Sequence, residues 1–393
     1  MLTNQLSFDP TNPAPTLSAL PENPGIFALF GADSKAEPYL ARTTNIRRRL
    51  KRFLDAKPTQ TKRLRLTERV ALIEYTATGS DFESGFLLYR GLRSAFPKTY
   101  TDRLRMRFAP LLKLHMENEY PRASITTRLG RAGGRSLYYG PFASRTAAEK
   151  FANDSLDFFK MRRCVDDLHP DPQFPGCIYS EMKMCLAPCF KGCTDADYQA
   201  EVSRVQAYFD SGGDSLVREI TVQRDQASTS LDFENAAALH VRVEKLKPVL
   251  GQLPEIVRRI DQLTAIMVQR SAVPEAVTFF FIDAGLITGP LTFPIQSMEH
   301  TKSQSMESRV QAALATLPPS KSKTALETME HLALLKRWFY RSTRSGEIFF
   351  ADIRGGLPLR RLVRGIARVY RGEKPEAAVT NLEDRPTGPS QPI

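Results

Sequence analysis

Five cysteines, all between Cys164 and Cys193, are the residues whose type and spacing point most directly to chemistry. Four of them, Cys164, Cys177, Cys185 and Cys189, follow a C-x12-C-x7-C-x3-C spacing. Four thiolates are a soft ligand set suited to zinc or to an iron–sulfur cluster, and spacing alone does not choose between the two. Cys193 lies four residues further on and reads as a free thiol or an alternative ligand. Positive charge is the second signal. The 393 residues include 55 Lys and Arg against 43 Asp and Glu, a formal net charge of +12. Basic side chains crowd two segments, Arg42 to Arg69 and Arg354 to Lys374. Such surfaces attract DNA or RNA by counterion release, although a basic stretch can also be plain solvated charge.

The elements that must position these groups can be read from period and punctuation. Residues 1–20 are polar and proline-rich, without an apolar signal-peptide core, and read as a disordered leader. Short strands are predicted at 25–30 and 38–42, then a helix capped by Thr44 or Asn45 with Ile46, Leu50, Phe53 and Leu54 as its apolar stripe. A strand at 68–78 and a helix at 81–97 complete a small unit over 21–105. Strands between 109 and 142, a helix at 147–159 and the cysteines fill 106–195. Region 196–270 reads as helical, with a turn near Leu231 to Glu234. Region 271–372 reads as a hairpin at 276–295, two helices, a strand GEIFFADI and a final helix. That helix, Leu359 to Tyr370, places Leu359, Leu362, Val363, Ile366 and Tyr370 on one face. Arg360, Arg364, Arg368 and Arg371 occupy the other, an arrangement that would display them to nucleic acid. Residues 373–393 read as a disordered tail. The class is mixed α/β of the α+β kind. No apolar run is long enough to span a bilayer, and clustered free cysteines fit a reducing cytoplasm, so a cytoplasmic protein without membrane contact is expected.

Several segments carry a family resemblance. PGIF at 24–27, YLAR at 39–42, TNIRRRL at 44–50, RVALIEY at 69–75, PKTY at 97–100 and SLYYGPFAS at 136–144 occur in the order seen in the GIY-YIG nuclease half of the UvrC excinucleases. The resemblance implies a GIY-YIG-like sheet with flanking helices. Phosphodiester hydrolysis needs a base for water, a metal cation and positive charge on the phosphate. In the family a GIY tyrosine is the proposed base, a helix glutamate holds the metal, and an arginine meets the phosphate. Here Phe27 stands at the tyrosine position and Tyr89 at the glutamate position, while Tyr39 and Arg49 match the YIG tyrosine and the arginine. Phenyl cannot accept a proton, and neither Tyr89 nor Leu88 in the shifted register supplies a carboxylate. The resemblance therefore implies a degenerate centre with no catalytic residue intact and no catalytic magnesium or manganese. Arg42, Arg47, Arg48 and Arg49 remain as DNA contacts.

FFKMRRCVDD and KMCLAPCFKGC resemble the UvrC cysteine segment, which implies a [4Fe–4S] cluster on Cys164, Cys177, Cys185 and Cys189, with zinc as the alternative. TSLDFENAAALHVRVEKLK at 229–247 resembles the UVR motif, a helical hairpin that pairs with a UvrB-like partner. Leu231, Phe233, Glu234, Ala237 and Leu239 match its contact positions, while His240-Val241 departs from the usual Arg-Asp. A hairpin buried in its own domain is the alternative. FFFIDAGLITGPLTF resembles the segment after that motif, so the motifs cover about residues 21–295 and leave the last hundred outside. No RNase H-like aspartate signature or helix-hairpin-helix pattern follows. The reading is a UvrC-like nucleotide-excision-repair protein that binds DNA, a UvrB-like protein or both, without cutting. The alternatives are an excinuclease with a rearranged centre, and a metal-stabilised scaffold acting on RNA or protein.

Overall fold

Short strands around a continuously apolar central run build the first sheet of the computed structural model, which describes residues 2–33, 36–54, 66–131, 133–165, 167–295, 305–316, 324–352 and 356–375. Its elements are β1 (Asn4–Ser7), α1 (Ala14–Ala19), β2 (Gly25–Gly31), β3 (Tyr39–Thr43), α2 (Ile46–Leu54), α3 (Leu66–Arg69), β4 (Val70–Ala77), α4 (Asp81–Ala95) and α5 (Tyr100–Arg103). The strands run antiparallel in the order β1-β4-β2-β3. Asn45 caps α2 by accepting the Arg48 amide at 2.8 Å, and Ile46, Leu50 and Leu54 are buried beneath the sheet as their spacing predicts. Ser80 caps α4, and the Glu83 carboxylate accepts the Gly79 amide at 2.9 Å.

The leader is not disordered where described. β1 pairs with the outer edge of β4, and Phe8, Leu17 and Leu20 are buried in the same core as Phe27 and Leu29. Polar composition and prolines concealed these three apolar residues, which anchor a segment whose strand gives an otherwise open edge a partner. The tail beyond residue 375 lies outside the described residues.

The second group comprises β5 (Leu111–Leu114), β6 (Ala123–Thr126), β7 (Leu137–Gly140), α6 (Arg145–Leu156), α7 (Ile178–Glu181), α8 (Asp195–Asp210), α9 (Asp214–Thr229), α10 (Phe233–Gly251) and β8 (Arg258–Arg259). Its antiparallel sheet has the order β6-β5-β7-β8. The third comprises β9 (Ala265–Arg270), β10 (Ala276–Asp283), β11 (Leu286–Pro294), α11 (Met306–Ala315), α12 (Ala325–Phe339), β12 (Glu347–Phe350) and α13 (Leu359–Arg371), in the sheet order β11-β10-β9-β12.

The expected helix through residue 270 ends instead at Gly251, and β9 is a strand inside the last sheet. Its run AIMVQR is buried on both faces: Ala265 and Met267 join the main core, Ile266 and Val268 the core under α13. A doubly buried strand shows no alternation, so its period does not distinguish it from a buried helix. No described helix is long and apolar enough to cross a membrane.

One core runs through all three groups, from Phe82 and Tyr89 on α4 to Leu332 and Trp338 on α12. At its centre the fully buried carboxylate of Glu330 accepts the Tyr89 hydroxyl at 2.7 Å and the Tyr100 hydroxyl. Arg93 donates to the Tyr89 hydroxyl and to Glu327, both at 2.8 Å. His331 packs edge-on against Tyr89 and Phe86, and its Nδ1 accepts the Ile287 amide at 2.9 Å.

Burial lowers the His331 pKa to about 4; Glu327 opposes this, and Arg93 and Arg90 reinforce it. Between that value and an unfolded pKa of about 6.5, the unfolded chain binds the extra proton, so stability falls as pH falls. From pH 7.5 to pH 5 this one residue should cost about 2 kcal/mol of unfolding free energy. Urea unfolding at both pH values should show that loss in the native chain and a smaller pH dependence in His331→Gln.

Candidate functional site

The residues singled out by spacing fall into three places. Phe27, Tyr39 and Arg49 come together on the first sheet and α2. Phe27 has no exposed surface, and its ring lies 6.1 Å from Tyr39 and 6.4 Å from Phe53. Tyr39 stays 43% exposed, and the Arg49 guanidinium sits 4.2 Å above the Phe53 ring. Among the described residues Arg49 has no carboxylate partner. The first sheet thus offers an exposed tyrosine and a cation on an aromatic platform, and the phenyl ring of Phe27, at the position of the expected base, cannot take a proton.

Tyr89 is not part of that cluster. It faces the opposite way, into the Glu330 network, and burial together with the Glu330 carboxylate holds its hydroxyl far above the ordinary tyrosine range. Glu83 is also withdrawn: burial raises its pKa, and its carboxylate serves the Gly79 amide. Among the described residues no three Cys, His, Asp or Glu side chains converge on a single-ion site.

The neighbouring arginines divide. Arg47 donates to the Leu20 carbonyl at 2.5 Å and pairs with Glu22 at 2.7 Å. Arg42 pairs with Asp81 at 2.6 Å, and Arg341 shares that carboxylate. Both therefore have structural partners rather than lying open as expected. Arg48 and Arg49 have no ionic partner among the described residues, Arg49 resting on the Phe53 ring.

The cysteine segment wraps one end of the second group. Arg162, 2% exposed, donates to the Tyr120 carbonyl at 2.9 Å and to the Cys164 sulfur at 3.3 Å. The Ala187 amide points at the Cys185 sulfur, 3.3 Å away. Burial pushes the Cys185 thiol up to about 11; the Ala187 amide draws it down, and thiolates at Cys164, Cys189 and Cys177 would push it up. All four thiols therefore lie within electrostatic reach of one another. Left-handed backbone at Lys183, Ala187 and Lys191 turns the chain sharply around them. Donors aimed at sulfur, beside a buried guanidinium that favours thiolate, fit a thiolate-bound metal group. Cys193 packs against the main core instead.

α9 and α10 form the hairpin expected at the UVR-like motif. Its base is buried through Leu216, Ile220, Val243 and Leu246. Its tip is not: Leu231 is 72% and Phe233 65% exposed, and further down the two helices Val222 and Val241 are exposed as well. Glu234 and Ala237 are also exposed and Leu239 is half-buried. Leu231 sits at φ 61°, left-handed backbone that costs a leucine about 1 kcal/mol. A hairpin packed wholly inside its own domain would hide these side chains, so that alternative fails at the tip.

On α13 the expected four-arginine face is reduced. Arg368 forms two 2.8 Å bonds to Glu347 of β12 and is largely buried. Arg371 pairs with Glu373 at 2.6 Å. Arg360 and Arg364 are exposed and have no ionic partner among the described residues. Sequence spacing places residues on a helix face but does not reveal an acid on a neighbouring strand. Glu330 was likewise missed, since an isolated glutamate in an amphipathic helix carries no signal.

Residues 109–208 match the middle domain of the UvrC/Cho excinucleases. The chain is similar to UvrABC system protein C of Dehalococcoides mccartyi strain BAV1, 24% identical over 376 residues, which cover 94% of this chain and 61% of that protein. It is 26% identical to the Rickettsia bellii protein of that name over 230 residues, 58% of this chain and 35% of the relative. For the Pseudomonas aeruginosa LESB58 protein the figures are 29% over 237 residues, 60% and 38%. The chain thus spans less than two thirds of the length of these relatives. Coverage of 94% carries the similarity past residue 295, where the motifs had left it. No solved structure matches the chain. By its middle domain and by similarity along most of its length, the chain is a UvrC-like protein.

Proposed function

We propose that this chain serves nucleotide excision repair by binding DNA and a UvrB-like partner, without cutting the strand. One observation carries the non-cutting part: the position that would supply the base is a fully buried phenylalanine, Phe27, and the position that would hold the metal is a tyrosine committed to Glu330. A nuclease with a rearranged centre would need a carboxylate beside Arg49, and among the described residues none pairs with it. Arg48, Arg49 and Tyr39 supply charge and an exposed aromatic ring for a nucleic-acid backbone. Leu231 and Phe233 at the hairpin tip supply a small apolar patch for the partner, with the exposed Glu234 next to Phe233 in the chain.

The cysteines have a separate role in this reading. Cys164, Cys177, Cys185 and Cys189 would hold a [4Fe–4S] cluster, which braces the segment that follows Phe159 and positions it against DNA. Donors directed at the Cys164 and Cys185 sulfurs support a thiolate-bound group at this segment. Zinc remains the competing occupant, separated by the colour test below.

Incision assays with magnesium or manganese on damaged duplex should give intact strands, while the same protein shifts that duplex in a salt-dependent manner. Cleavage that Arg49→Ala abolishes would refute the reading. Restoring a carboxylate with Tyr89→Glu should not rescue cutting. It would place a second buried acid against Glu330, and we expect roughly 3 kcal/mol of lost stability in urea unfolding. Tyr89→Phe, which loses only a hydroxyl, should cost about 1 kcal/mol.

Protein purified without oxygen should be brown, with broad thiolate-to-iron absorption that Cys185→Ser removes and Cys193→Ser leaves in place. A colourless protein with one zinc per chain would assign the site to zinc instead.

A further inference from the structure

The outer face of the β5–β6–β7 sheet is unused by the reading above, and it is strongly basic. Register places Lys113 beside Ser124 on one side and Tyr138 on the other. One step along, the His115 amide donates to the Arg122 carbonyl at 2.8 Å. Side-chain alternation therefore puts Lys113, His115, Arg122, Ser124 and Tyr138 on one surface, while Leu112, Leu114 and Tyr139 face the core. Glu117 is the acid at its edge. It is taken up by Lys113 at 2.8 Å, His115 Nδ1 at 3.1 Å and the Ser136 hydroxyl. The Arg122 Nε is buried and makes no hydrogen bond. Burial lowers the His115 pKa, and the charges of Lys113 and Arg122 lower it further, as expected where positive potential gathers.

The loop from β6 to β7 extends this surface. It carries Arg128, Arg131 and Arg135, all exposed and without an ionic partner among the described residues. Its base is fixed at several points. The Thr126 hydroxyl accepts the Arg128 amide at 3.0 Å, and the Tyr138 hydroxyl accepts the Gly130 amide at 2.9 Å. Leu129 is partly buried against the main core, with its amide 3.2 Å from the Met329 sulfur on α12. A turn closes between Arg131 and Gly134. Three arginines projecting from an anchored base lose little further freedom on meeting a ligand.

We infer that the outer face of the β5–β6–β7 sheet, together with Arg128, Arg131 and Arg135 of the loop after β6, is a second nucleic-acid surface that binds the phosphodiester backbone of duplex DNA. The inference rests on the proposal that this chain binds DNA, and it adds a surface distinct from Arg48, Arg49 and α13. Separated guanidinium groups suit consecutive phosphates of an extended polyanion better than a single small anion.

The test uses the full chain and a short undamaged synthetic duplex, titrated by fluorescence anisotropy from about 50 to 200 mM salt. Each phosphate contact contributes about 0.9 to the slope of log affinity against log salt. Arg128→Gln/Arg131→Gln/Arg135→Gln should flatten that slope by about two to three units and weaken binding roughly tenfold or more. A control that removes equal charge elsewhere, Arg145→Gln/Lys150→Gln/Lys247→Gln, should change the slope by less than about one unit. Equal losses in the two variants would trace the effect to net charge and overturn the inference. So would an unchanged slope in the loop variant while the native chain binds, a result that leaves the DNA-binding proposal intact. Loss of single-stranded RNA binding with duplex binding retained would assign the surface to RNA and overturn it as well. A native chain that binds no duplex at all would refute both.

Discussion

The carboxylate of Glu330 has no contact with water, and a group of that kind is tolerated only when donors surround it. The donors come from far away in the chain. Tyr89 and Tyr100 lie on α4 and α5, more than 200 residues before α12. Arg93 adds charge at 3.8 Å and ties itself to Glu327 one turn earlier on α12. Removing either side would leave an uncompensated buried acid or orphaned hydroxyls, so the first sheet and the last are held to one another by mutual need. That contact sets which face of α4 is available. The face carrying Tyr89 is closed by α12, and only the side that packs Leu40 against Gly91 meets the first sheet.

The two substitutions at the nuclease-like centre are consistent with each other in the same terms. Phe27 has no exposed surface and lies in the cluster that holds Ile46, Leu50 and Leu29, where a phenol would need a hydrogen-bond partner. Tyr89 occupies a polar interior site, where a hydroxyl is wanted and a second carboxylate would be repelled. A chain that keeps the tyrosine base and the glutamate ligand must hold both open to solvent and substrate. Here each position has been absorbed into a core, and the local chemistry has become packing. Among the described residues, Tyr39 on that sheet and the Arg49 guanidinium stacked on Phe53 of α2 keep access to solvent.

Much of the first unit was legible because its signals are local. The stripe Ile46, Leu50 and Leu54, the Asn45 cap and the hairpin break near Leu231 all act within a few residues, and all stand where their spacing put them. What was not legible depended on partners distant in sequence. The leader became β1 and α1 because β4 had a free edge and a greasy flank, neither visible from residues 1–20. β9 read as helix because a strand covered on both faces has no period of its own. The α13 arginines were correctly placed on a helix, yet Arg368 was lost to Glu347 through a sheet that spacing cannot foresee. Composition announced the net charge. Which cations remain unpaired is decided only by the tertiary fold.

That distinction separates scaffold from surface throughout this molecule. Exposed apolar side chains and unpaired cations are costly or useless to a self-contained fold, and evenly scattered ones would mean little. Here several of them stand at points whose roots are packed. Leu231 and Phe233 crown a hairpin rooted by Val243 and Leu246. Arg128, Arg131 and Arg135 crown a loop rooted by Leu129 and Tyr138. Arg360 and Arg364 lie on the first turns of a helix rooted by Leu362 and Ile366. A rigid root lowers the entropy lost when the tip engages a partner, and it stops the tip from folding back onto the protein.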